Sequence, residues 1–128
     1  MRYLIDTHIL LWMLTSPNKL GRKQAKILRD DDAELFVSHA SLWEMSIKIS
    51  LKKLQIPTTI EALVDTHVLG NGIHLLTLKK EHIYTLTKLP FHHRDPFDRL
   101  LISQAKHEEL VLLTADKAFK HYDIKCIY

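Results

Sequence analysis

Residues 91–106, FHHRDPFDRLLISQAK, set two histidines, two aspartates and two arginines ahead of an apolar stripe. Ionisable groups at the mouth of a segment built for burial either cap a helix or bind something. Asp95-Pro96 has the form of a helix start, an N-cap acid followed by proline at the first helical position. Capping accounts for Asp95. Asp98 is different. At 100° per residue, Phe97, Leu100, Leu101, Ile102 and Ala105 form an apolar arc that contains Asp98, with Arg99, Ser103 and Lys106 on the opposite side. A carboxylate on the buried face must be paired, hydrogen-bonded or coordinating a metal, because stranding it costs on the order of several kcal/mol. The helix dipole offers only about 0.3–1 kcal/mol and does not demand the inward face.

Three further acids have suggestive positions. Asp6 ends the apolar run RYLID, and Asp116 stands two residues beyond LVLLT. Each can cap a following helix, although Thr7 offers an alternative cap beside Asp6. Both also fall where strands end. Glu44 completes SLWE (41–44), a capping-box pattern with Ser41, and Lys48 lies four residues on, within pairing reach. Glu44 equally borders the Trp43–Ile47–Leu51 stripe, from which it can reach a core-side cleft. Four acids on one edge would repel, by roughly 4 kcal/mol for two charges about 4 Å apart at an effective dielectric near 20. Such a cluster needs a cation, and all-carboxylate ligation points to Mg²⁺ or Mn²⁺ rather than zinc.

The elements that must position these groups follow from periodicity. Strands are expected at 2–6, 34–38, 73–78, 110–114 and 124–128, and helices at 8–15, 21–32, 41–53, 59–69, 80–88 and 96–108, with a helical turn at 116–122. Strands alternating with helices, and apolar nearly throughout at the first and fourth, imply a mainly parallel sheet of four to five strands covered on both faces. In such α/β folds ligands bind outside the carboxyl ends of the strands.

Bulk properties narrow the class. The 128 residues suit a single domain spanning 1–128, and 46% hydrophobic with 26% charged residues is ordinary for a globular chain. No linker, repeat or low-complexity tract interrupts it. One cysteine, Cys126, cannot form an internal disulfide, which favours a reducing, cytoplasmic setting. Asp6 breaks the apolar start, so neither a signal peptide nor a membrane span is expected. A net charge of +3 and pI near 9.0 suit a polyanionic partner without identifying one.

YLIDTHILLW, SHASLWEMSIK, HRDPFDRLLISQA and LLTAD resemble, in order, the signature blocks of PIN-domain ribonucleases, and more narrowly VapC-type toxins of type II toxin–antitoxin systems. The resemblance runs from residue 3 to about 122. It implies a PIN-like three-layer sandwich and an acidic quartet at Asp6, Glu44, Asp98 and Asp116, supported by Thr114. The commoner pattern has a single aspartate before the helix that RLLISQA represents; here burial and alignment both select Asp98, leaving Asp95 as a supporting group. The implied activity is endoribonuclease hydrolysis of RNA by water, assisted by one or two Mg²⁺ or Mn²⁺ ions, with Asp6 or Asp116 receiving the water's proton. The implied partners are RNA, a cognate antitoxin whose peptide occupies the cleft, and a second copy of the chain in a homodimer.

Other chemistries fit less well. A zinc hydrolase on His92 and His93 lacks helical ligand spacing and cysteine pairs, so these histidines are expected on a solvated loop or against RNA. Three glycines, none after the first strand, exclude a phosphate-binding loop. An aspartyl phosphatase would carry a second acid where His8 stands, and His8 itself has no assigned role. Within the fold, an RNA-processing or DNA-cleaving PIN nuclease and a non-catalytic interaction module are the alternatives. Trp12 and Trp43 lie in apolar helical patterns and are expected in core or dimer packing rather than as base-stacking platforms.

Overall fold

The computed structural model describes all residues, 1–128. Five parallel strands, β1 (Arg2–Ile5), β2 (Glu34–Ser38), β3 (His74–Leu76), β4 (Val111–Leu113) and β5 (Cys126–Ile127), form one sheet in the order β3-β2-β1-β4-β5. The helices are α1 (Thr7–Thr15), α2 (Arg22–Arg29), α3 (His39–Ser50), α4 (Ile60–Ala62), α5 (Lys80–Thr87) and α6 (Pro96–Glu108). A π-helical stretch Leu63–Val68 and a 3-10 turn Leu69–Asn71 extend α4, and Gly72 ends the run at a φ of +74°. No helix is long and apolar enough to cross a membrane.

Alternation along the strands sorts the core into two layers. Tyr3, Ile5, Leu35, Val37, Val111 and Leu113 face one side, packing with Ile9, Leu10, Met45 and Leu63. Leu4, Leu76 and Leu112 face the other, against Leu101, Ile102, Ala105 and Phe119. The result is the expected three-layer α/β sandwich, with strands shorter than periodicity implied.

Two helices depart from expectation. Helix α3 starts at His39, not after Ser41, because the Ser38 hydroxyl accepts from the Ala40 N–H and takes the N-cap. Glu44 therefore sits beyond the first turn and makes no capping box. Helix α6 has no solvent side at Arg99 or Ser103: both are buried with Gln104, since α5 and residues 86–91 cover that face. The Arg99 guanidinium donates to the Pro90 carbonyl and lies over the Phe91 ring, and the Ser103 hydroxyl donates to the His82 carbonyl.

Candidate active site

The carboxyl edge of the sheet is assembled by register. Ile5 pairs with Leu113, and the Asp6 N–H continues that ladder to the Leu113 carbonyl, so Asp6 and Thr114 leave neighbouring strands side by side. The Thr114 hydroxyl donates to Asp6 Oδ2 at 2.7 Å and accepts from the Asp116 N–H at 3.0 Å, joining the two aspartates. Both aspartates also cap: Asp6 Oδ1 accepts from the Thr7 N–H and Asp116 Oδ1 from the Ala118 N–H. Gln24 braces this edge from α2 by donating to the carbonyls of Thr114 and Ile127.

Helices α3 and α6 bring the other acids. Glu44 is 3% exposed; its Oε2 accepts from Lys48 Nζ at 2.8 Å, while its Oε1 is buried without a hydrogen-bond partner. The Asp95 Oδ1 accepts from the N–H groups of Phe97 and Asp98, so it caps α6 as expected. Asp98, one turn in, lines with Asp6 and Asp116 a cleft of about 260 Å³ that His8, Trp12 and Ala115 complete. Trp12 thus reaches the cleft wall while packing on the core, whereas Trp43 is 54% exposed and meets the Phe97 ring edge-on, so Trp43 is not a core residue.

Sequence reasoning missed His93. It is not on a solvated loop: the side chain is only 15% exposed, and its Nε2 lies 3.1 Å from Asp98 Oδ2 and 3.0 Å from Asp116 Oδ2. His92, exposed, turns instead towards His121 and Tyr122. No local pattern distinguishes the two. The contact that does, the Phe119 ring against that of His93, comes from more than twenty residues away.

Charge dominates the site. Burial, then the charges of Asp6, Asp95, Glu44 and Asp116, push the Asp98 carboxyl up to about 8. Burial also raises Asp6, despite its hydrogen bonds from Thr114 and Thr7. At Asp116 burial is outweighed by the Ala118 N–H and His93, which hold its carboxyl below the usual range. The donor set is oxygen-rich, mutually repelling and incompletely satisfied at Glu44. It fits a hard divalent cation held by a few carboxylates and water.

The PIN-domain family model matches residues 3–125. The chain belongs to the PIN-domain family. PIN domains are nucleases that generally use divalent metals. No curated protein matches the chain in sequence. Among solved structures, this PIN domain is similar to VapBC2 from Rickettsia felis bound to a DNA fragment from its promoter, at 18% identity and a TM-score of 0.75, covering 99% of this chain and 98% of that one. A toxin–antitoxin complex from Klebsiella pneumoniae follows at 17% identity and TM-score 0.65, covering 98% and 96%. FitAB bound to a DNA fragment matches at 17% and 0.65, covering 99% and 94%.

Proposed function

We propose that this single PIN domain, residues 1–128, is a Mg²⁺- or Mn²⁺-dependent endoribonuclease and the toxin of a toxin–antitoxin pair. The observation that carries the reading is the grouping of Asp6, Asp98 and Asp116 around one cleft at the sheet's carboxyl edge, with the unpartnered Glu44 Oε1 close enough to raise Asp6 and Asp98. The solved relatives, one of them a toxin–antitoxin complex, support the biological role. In this reading the work is cytoplasmic, the chain forms a homodimer, and an antitoxin segment fills the cleft to silence it.

Asp6, Glu44, Asp98 and Asp116 would hold one or two ions. A bound divalent ion supplies Lewis acidity towards the scissile phosphate and the attacking water. Thr114 fixes Asp6 and Asp116 relative to each other. Asp116 is better placed than Asp6 to receive the water's proton, because its side chain is 41% exposed while Asp6 is 2% exposed. Lys48 offsets part of the charge on Glu44.

Purified protein incubated with total RNA should cleave it with Mg²⁺ or Mn²⁺ and stop with EDTA. Asp98→Asn should abolish the cleavage while remaining folded. Cleavage that survives either EDTA or this substitution would refute the reading.

A further inference from the structure

His93 is fixed from every side. Its backbone N–H donates to the Tyr122 hydroxyl at 2.8 Å, and its ring stacks on the fully buried Phe119, with centroids 5.5 Å apart. Its Nδ1 accepts from the Asp95 N–H at 3.1 Å, and its Nε2 lies between the facing oxygens of Asp98 and Asp116. Asp98 and Asp116 have no other ion-pair partner.

The direction of these bonds decides what the imidazole can do. A neutral imidazole carries one N–H. Because Nδ1 receives the Asp95 N–H, the proton must sit on Nε2, the nitrogen aimed at the two carboxylates. A metal-ligating histidine has the reverse arrangement: its lone pair faces the ion, and its other nitrogen donates to an acceptor. Here the other nitrogen meets a donor. His93 is therefore placed between acids as a donor and not as a ligand among them.

We propose that His93 is a positioning residue whose Nε2–H holds Asp98 and Asp116 at the separation from which they bind a divalent cation. Tyr122 acts through it, anchoring the backbone that carries the ring. The inference rests on the metal-dependent reading above and adds to it a residue that touches the ligands rather than the ion. It also gives Asp95 a second task, since the cap of α6 supplies the N–H that orients His93.

Calorimetric titration of Mn²⁺ into the metal-free chain separates the possibilities. His93→Phe keeps a ring over Phe119 and loses the donor; His93→Gln restores an amide N–H near the Nε2 position. The phenylalanine variant should bind Mn²⁺ about 10- to 100-fold more weakly, as loss of a partner behind a ligand typically does. The glutamine variant should recover most of the affinity. Wild-type affinity in His93→Phe overturns the proposal. So does equal loss in both variants, which would make the imidazole itself a ligand. If His93→Phe does not fold, Tyr122→Phe should weaken Mn²⁺ binding in the same direction, and undiminished affinity there overturns the proposal. Wild-type protein that binds no Mn²⁺ removes the nuclease reading as well, a result distinct from a wild type that binds beside an unaffected His93→Phe.

Discussion

Helix α6 carries two buried polar clusters built from the same parts, and they have opposite energetic character. Near its far end His82 is fully buried, its Nδ1 accepting from the Lys79 N–H at 3.0 Å and its Nε2 facing Glu108 at 3.2 Å. Near its start His93 repeats that arrangement with Asp95 as donor and two carboxylates as acceptors. The difference is charge balance. Glu108 has Lys79 Nζ at 3.7 Å besides His82, and although burial opposes it, His82, Lys79 and His107 together hold its carboxyl below the usual range. Asp98 has one imidazole against three neighbouring carboxylates and the Asp95 cap, and burial first, then those charges, drive it up to about 8. A buried polar cluster that closes its own hydrogen bonds and charges belongs to the fold. One that leaves Glu44 Oε1 without a partner and crowds four acids is, in the proposed reading, where a divalent ion binds.

Gln104→Ala gives the largest stability effect that this contrast predicts. Gln104 accepts from the Ser38 hydroxyl and reaches the Thr77 carbonyl, so its removal strands buried groups and leaves a cavity. Denaturant unfolding should show a loss of about 2–4 kcal/mol, with Mn²⁺ affinity unchanged. A changed affinity would show that the two clusters are coupled.

A smaller effect belongs to the cap. Asp95→Ala should cost about 1 kcal/mol in the same unfolding experiment. Its backbone N–H, which serves His93, survives the change, so most cleavage should survive too. If cleavage falls as far as in Asp98→Asn, the roles of the two aspartates are reversed.

The legible parts of this molecule are those with local causes. Apolar runs ended by acids marked Asp6 and Asp116, the Asp95-Pro96 pair marked the start of α6, and 100° geometry turned Asp98 inward. Long-range contacts decided the rest. Ser38 and Ser41 both have capping hydroxyls, and the Ser38 position is the one that also meets Gln104, 66 residues away. The Ser41 hydroxyl instead accepts from Thr7. Periodicity identifies one buried face of a helix, so it gave no sign that α5 covers a second face of α6 and buries Arg99 and Ser103. His93 was invisible for the same reason: two adjacent histidines are equivalent until Phe119 stacks on one of them.

In the metal-dependent reading, burial of and repulsion among the acids destabilise the metal-free fold, and a divalent ion relieves both. Asp98 ionises in the unfolded chain near the ordinary value of 3.8 but in the folded chain only near 8. The folded state therefore holds the extra proton between those limits, and stability from this group falls as pH rises through that window. The most direct measurement is thermal unfolding of wild type and Asp98→Asn across pH 4 to 9, with EDTA and with Mn²⁺. In EDTA the variant should melt above wild type by a gap that widens from about pH 4 and levels off above about 8. At pH 8, Mn²⁺ should raise the wild-type midpoint and leave the variant nearly unmoved. A variant that melts below wild type in EDTA, or an equal rise of both proteins with Mn²⁺, would contradict the account.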